Sequence, residues 1–265
     1  MLPQFFNYHT HTFRCGHAVG TDEEYVLSAI NAGYKILGFS DHIQYRAMCG
    51  RLNRIDYENF DEYFRSIRIL ASQYASQIQI LCGLEVSFIP EWLADIYDIR
   101  QKCDYFVLGQ HVGGKDRWHY NRSCSEEDVL HYAEDIEYAI RTGLFSVIAH
   151  PDYFMITRNK WTQNCTIAAK KICTAALEYN IPLEINLKGL MESRRKINGE
   201  FSHPYPYRRF WEIVAEMGAP VIYGVDAHSP DALQNISLYK QAQKLLENLN
   251  LNFQHNYQII LKNGW

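Results

Sequence analysis

Short apolar runs alternate with longer amphipathic stretches along this chain. The runs Phe5–His9, Lys35–Ser40, Ile78–Glu85, Asp104–Gln110, Leu144–Ala149, Ile181–Leu187 and Pro220–Val225 predict seven strands. Each is too short for a buried helix and is flanked by turn residues. Between and after them come stretches with helical spacing of apolar positions: Thr21–Asn31, Asp56–Tyr74, Pro90–Lys102, Ser125–Arg141, Thr162–Tyr179, Pro206–Met217 and Pro230–Leu246. Local signals support several ends. Thr21 with Glu24 three residues on reads as a capping box, and Gly33 stops that helix. Pro90 suits a first turn, Ser125 a cap, and Gly218 a stop. Phe253–Leu261 reads as a last edge strand. Seven strand-then-helix units imply a parallel sheet in an α/β fold. With no linker or composition break, they favour a closed barrel, one domain over residues 1–265.

The polar residues then fall in a pattern. His9, His11 and His17 follow the first strand, and Asp41 and His42 the second. Glu85 ends the third, His111 follows the fourth and His150 the fifth. Glu184 and Asn186 end the sixth, and Asp226 and His228 follow the seventh. In a parallel barrel these ends meet on one face, where active sites sit. Seven of the 11 histidines converge there. His9 and His11, two apart, share a side of an extended chain. Seven imidazoles with Glu85 and Asp226 exceed what one ion needs, so two or three metal ions are expected. Without a ligating cysteine pair, zinc, iron or manganese fits. Such ions outweigh the two carboxylates, so the site favours an anionic substrate such as a phosphate ester.

Composition narrows the partners. Hydrophobic residues are 47%, charged residues 21%, and net charge is −4. That is an ordinary globular balance with no electrostatic footprint for nucleic acid. No apolar run reaches membrane-spanning length and no signal peptide is evident. The seven cysteines are odd in number and include no Cys-x-x-Cys, so they read as reduced thiols of a cytoplasmic protein. Cys15 lies between candidate ligands and reads as a loop thiol that does not ligate.

His9-Thr10-His11 with His17, Asp41-His42, Glu85, His111, His150-Pro151 and Asp226-Ala227-His228 resemble the polymerase-and-histidinol-phosphatase (PHP) superfamily over nearly the whole chain. Cys15-Gly16-His17, Leu183–Asn186 and Asp226–Pro230 look like its histidinol-phosphate phosphatases. The resemblance implies a distorted (β/α)7 barrel with three ions. The first would take His9, His11, Glu85 and Asp226. The second would take Glu85, His111 and His150, with Glu85 bridging, and the third His17, His42 and His228. One departure stands out: where similar phosphatases continue into small polar residues, this chain has Asn186-Leu187-Lys188-Gly189.

The implied chemistry is hydrolysis of L-histidinol phosphate, in histidine biosynthesis, by a metal-bridging hydroxide. Glu85, Asp226, His228 and Asp41 are the catalytic candidates, with Asp41 orienting a histidine, taking a proton or capping its loop. Arg158 and Arg195 are candidates for phosphate binding, ahead of Arg194 and Arg14. Tyr45, Tyr153, Phe154 and Trp161 are candidates to wall an aromatic leaving group. Two alternatives stand beside this reading: a phosphoesterase for another small phosphorylated metabolite or nucleotide, and a non-catalytic metal-binding domain.

Overall fold

The computed structural model describes residues 2–43, 45, 54, 55, 57–113 and 118–261. Strands and helices alternate in the predicted order. They are β1 (Phe6–Asn7), α1 (Asp22–Ala32), β2 (Ile36–His42), α2 (Phe60–Gln73), β3 (Gln79–Val86), α3 (Leu93–Arg100) and β4 (Tyr105–Leu108). A short hairpin follows, β5 (Val112–Gly113) and β6 (Trp118–His119). Then come α4 (Glu126–Arg141), β7 (Val147–Ile148), α5 (Gln163–Glu178) and β8 (Leu183–Asn186). A second hairpin, β9 (Arg195–Ile197) and β10 (Glu200–Ser202), precedes α6 (Arg208–Met217), β11 (Pro220–Gly224), α7 (Ile236–Leu245) and β12 (Asn252–Phe253).

Eight of the described strands form one sheet in the order β1-β2-β3-β4-β7-β8-β11-β12. Every pairing in it is parallel. The sheet closes on itself. Thr10 bridges Ala227, with His11 N–H donating to Ala227 O at 2.9 Å and Ala227 N–H to His9 O at 3.2 Å. Lower down, side chains replace the ladder. Gln4 exchanges two hydrogen bonds with the Tyr223 backbone, and Asn7 Oδ1 accepts from Val225 N–H.

The apolar residues divide between two cores. One, including Phe6, Tyr8, Leu81, Tyr105, Val107 and Ile222, fills the barrel. The larger one lies between sheet and helices. The near-continuous apolar strands follow from burial on both faces. The expected edge strand Phe253–Leu261 is a strand only at Asn252–Phe253. Beyond it, Tyr257 and Ile259 join the barrel core, and Tyr257 hydroxyl donates to Ser146 O.

The signals for α1 and α4 hold. Thr21 with Glu24, and Ser125 with Asp128, each make both capping-box bonds. Gly33 and Gly218 end α1 and α6 in left-handed conformation. The expected helix starts at Pro90 and Pro230 are 3-10 turns that lead into α3 and α7. The expected start at Asp56 lies outside the described residues, as does Cys49; the other six cysteines are free thiols. Among the described residues, no helix is long and apolar enough to cross a membrane.

Candidate metal centre

Glu85 stands in the middle of the polar cluster. It projects from β3, opposite His42 of β2 in register. Its Oε2 lies 2.8 Å from His42 Nδ1 and 3.5 Å from Nε2 of both His9 and His11. Its Oε1 lies 2.9 Å from His150 Nε2 and 3.6 Å from His111 Nε2. Five imidazoles thus surround one buried carboxylate. A second carboxylate, Asp226, places Oδ1 3.1 Å from His11 Nε2, 3.3 Å from His228 Nδ1 and 3.5 Å from His9 Nε2. His228 Nε2 is in turn 2.9 Å from His17 Nε2.

Backbone features aim these groups. Phe6 and Tyr8 belong to the barrel core, yet His9 and His11 face the cluster, so strand alternation changes phase at His9. His150 and Asp226 adopt left-handed backbone, with φ of 29° and 52°. Such conformations are strained for residues with a side chain and concentrate at functional sites. Two glycines make room. A Cβ at Gly109 would sit 1.9 Å from Glu85 Oε1, and one at Gly224 2.0 Å from Glu184 Oε2. Any larger residue there would collide with a carboxylate of the site.

Other residues hold the cluster from behind. His9 Nδ1 lies 3.0 Å from both oxygens of Glu184, so Nδ1 carries a proton and Nε2 faces Glu85 and Asp226. Asn186 Nδ2 donates to Glu184 Oε1 and Asp226 Oδ2. Asp41 accepts from Thr12 N–H at 3.0 Å, from Thr12 Oγ1 and from His42 N–H at 2.9 Å. It lies 3.5 Å from His11 Nδ1. Asp41 is therefore a positioning residue for the two histidine loops, and the catalytic expectation for it is corrected: its carboxylate is already committed to three donors.

The electrostatics suit cations. Burial works against ionising Glu85, but His111, His42 and His9 hold its carboxyl well below the usual range. Lys188, His9 and His11 do the same for Asp226 against its burial. Burial pushes His42 and His111 well below the ordinary imidazole value, and His228 down to about 2. His17 is also lowered by burial. These rings are held neutral, the form that ligates. His9 and His11 go the other way: Glu184 and Asp226 outweigh burial and draw protons onto them. Several buried atoms make no hydrogen bond with protein: Nε2 of His9, both ring nitrogens of His11, Nδ1 of His42, Oε2 of Glu85 and Oδ1 of Asp226. Donor atoms of His9, His11 and Asp226 lie within 4.8 Å of one another, as do those of His9, Glu85 and His150, of His11, His42 and Glu85, and of His17, His42 and His228. Buried nitrogen and oxygen atoms that converge without hydrogen-bond partners, beside ionised carboxylates, fit metal ions.

A cavity of about 510 Å³ opens over the cluster. Its wall includes Arg195, and also Arg54 and Lys188, to which the sequence assigns no role. Lys188 Nζ is 3.4 Å from His228 Nε2 and 4.0 Å from Asp226 Oδ2. Arg158, expected to bind phosphate, does not line the cavity and is corrected. Its guanidinium pairs with Glu126 and donates to Cys124 O at 2.9 Å, tying the loop after β7 to the start of α4. Arg14 is likewise structural, bound to Asp22 and Glu62. Arg194 donates to Phe201 O across the second hairpin. Of the expected aromatic wall, Tyr153 lines the cavity, joined by Tyr205. Phe154 and Tyr45 are buried in the outer core, and Trp161 stacks on Tyr207. Cys15 is buried with its thiol pushed up to about 12 by burial, and its Sγ stands 4.0 Å from His17 Nε2.

Residues 7–188 match the PHP domain model, and the chain belongs to that family. Asp226 and His228 lie beyond the match and return to the cluster through β11. The chain is similar to a probable histidinol-phosphatase of Deinococcus radiodurans, 27% identical over 231 residues, covering 84% of this chain and 85% of that protein. It is also similar to a probable phosphatase of Aliivibrio fischeri, 26% identical over 237 residues, covering 87% and 80%. Among solved structures it is similar to the histidinol phosphate phosphatase of Lactococcus lactis in complex with zinc, L-histidinol and phosphate. That likeness has a TM-score of 0.69 over 94% of this chain and 95% of that one, and at 17% identity it bears on the fold.

Proposed function

We propose that this chain is a metal-dependent phosphomonoesterase that hydrolyses L-histidinol phosphate to L-histidinol and inorganic phosphate, in histidine biosynthesis. The observation that carries the reading is the ring of imidazoles around Glu85 and Asp226, with buried donor atoms that no protein group satisfies. His9, His11, Glu85 and Asp226 would hold one ion; Glu85, His111 and His150 a second; His17, His42 and His228 a third. When bound, the ions supply Lewis acidity toward water and toward phosphoryl oxygens.

The chain's own residues do the rest. Glu184 fixes the His9 tautomer, and Asn186 holds Asp226 in its turn. Lys188 and Arg195 stand on the cavity wall, where an ester's phosphoryl oxygens would meet them. Tyr153 and Tyr205, with ring centroids 5.3 Å apart, offer an apolar face for the imidazole of the leaving alcohol. The names of the bacterial relative and of the zinc-bound neighbour agree with this substrate. A second reading, another small phosphorylated metabolite, draws on Lys188, whose Nζ stands 3.4 Å from His228 Nε2 beside the cluster.

The test is phosphate release by the zinc-, iron- or manganese-loaded protein from histidinol phosphate, nucleotides and an aryl phosphate. The reading requires histidinol phosphate to give the highest kcat/KM. A nucleotide or another ester in first place would replace the substrate, and no release from any ester would remove the phosphatase reading.

A further inference from the structure

The cavity wall is mostly cationic or neutral, with Arg54, Lys188, Arg195 and several imidazoles. Two carboxylates also line it. Asp226 belongs to the cluster. Glu192 does not, and none of the grouped donors includes it. It lies just after the short helical turn Lys188–Met191, three residues before Arg195. Its backbone is fixed at both ends, by N–H to Gly189 O at 3.2 Å and by His203 Nδ1 to its carbonyl at 3.1 Å.

Neither the Glu192 carboxylate nor the Arg195 guanidinium makes a hydrogen bond or ion pair among the described residues. That separates them from Arg14, Arg158, Arg208 and Arg209, each bound to a carboxylate. A carboxylate and a guanidinium so near in the chain could satisfy each other; both are instead left to whatever enters the cavity. Glu192 also stands near the two tyrosines. After burial, its charge is among those that raise the phenol pKa values of Tyr153 and Tyr205. The cavity thus offers cations toward the cluster, an aromatic wall and one free carboxylate beside that wall.

We propose that Glu192 selects the alcohol portion of the substrate by pairing with a cationic nitrogen on it, so that the preferred esters are phosphates of amino alcohols. The inference rests on the phosphomonoesterase reading and adds the residue that sets its substrate class. A phosphoryl group at the cluster and an ammonium at Glu192 would orient the ester from both ends. Binding of an anion alone would leave the carboxylate desolvated and unpaired, which works against neutral or acidic alcohols.

The experiment compares Glu192→Gln and Glu192→Asp with the unmodified, metal-loaded protein. Three esters are used: histidinol phosphate, O-phosphoethanolamine and phenyl phosphate. The readout is the ratio of kcat/KM for each ammonium ester to that for phenyl phosphate. Loss of a charged contact predicts a fall in that ratio of about 10- to 100-fold in Glu192→Gln, expressed mainly in KM, with partial recovery in Glu192→Asp. Equal effects on all three esters, or a ratio within twofold of the unmodified protein, would overturn the role of Glu192 and leave the phosphatase reading standing. If O-phosphoethanolamine is cleaved and histidinol phosphate is not, the particular substrate falls, while the ratio still decides Glu192. Metal content measured alongside separates selectivity from damage to the cluster.

Discussion

Replacing Glu184 by Gln tests whether the cluster is built to hold cations or merely buries polar groups. Glu184 is buried beneath His9, with both carboxylate oxygens 3.0 Å from Nδ1. Oε1 also accepts from Asn186 Nδ2 at 2.8 Å. Gln keeps the shape and one acceptor. Its amide nitrogen must then take the place of one oxygen, so a donor faces either the His9 N–H or Asn186. The charge that makes the His9 ring more basic is lost as well. Removing such a partner of a ligating histidine weakens metal affinity by about 10- to 100-fold, or about 1.4–2.7 kcal/mol. The assay titrates the loaded protein with a chelator and follows both bound metal and phosphate release. The most weakly held ion should leave at a correspondingly lower chelator concentration, and excess metal should restore most of kcat. If Glu184→Gln keeps every ion to within twofold of the unmodified protein, His9 is not a ligand held from behind by Glu184.

Glu85→Gln keeps volume but removes the charge that five imidazoles face; activity should be lost and elemental analysis should show at least one ion fewer per chain. His17, His42 and His228 should act as a unit: any single Ala variant loses the same ion and the double variants add little, whereas losses that multiply would separate them. Chelation should lower Tm and added metal should raise it with the logarithm of concentration; an unchanged Tm would mean that the cluster takes no ion. Burial raises the Asp135 carboxyl to about 6, against a hydrogen bond from Gln110. The folded state therefore holds this proton more tightly than the unfolded chain, and stability falls as pH rises from the ordinary carboxylate value to about 6. Asp135→Asn should be more stable by about 1–3 kcal/mol at pH 7.5, with the gain gone near pH 4, and a gain independent of pH in thermal melts would refute the cause.

The alternation of strand and helix was legible because the central strands β3, β4, β7, β8 and β11 are buried almost throughout, and α1 and α4 carry complete capping boxes. The cluster was legible for a related reason: charged and imidazole groups at the ends of apolar strands have nowhere to go but the barrel mouth. Arg158 shows the limit. Its loop leaves the correct face, but its direction is set by Glu126 at the start of α4, a partner distant in sequence. Lys188 shows the converse, since only the fold brings it within 4.0 Å of Asp226. The second hairpin carries a local signal, Asn198-Gly199, with φ of 52° and 89°. Two positive φ values in sequence suit the two-residue hairpin turn that Asn-Gly favours. The left-handed backbone at His150 and Asp226 has no such signal, because neither residue type prefers it strongly enough to stand out.

Gly109 and Gly224 connect sequence, packing and chemistry most directly. Glycine in a strand weakens it, so its presence beside an otherwise apolar run needs a reason. Here the reason is the close approach of Glu85 and Glu184. The barrel gives up side-chain packing at two positions to admit two carboxylates. It then surrounds one with five imidazoles, of which burial holds His42 and His111 neutral, and sets the other behind His9. Each buried polar atom left without a partner costs about 1–3 kcal/mol. Seven buried atoms of the cluster's histidines and carboxylates make no hydrogen bond with protein, so the cluster works against the stability of the fold. A barrel selected for stability alone would fill this mouth with apolar side chains. The two apolar cores, and the hydrogen bonds that close β1 against β11, are what allow the fold to carry the cluster. The same unsatisfied lone pairs that weaken the barrel are the ones that bind cations, so stability and metal affinity are set by one group of residues.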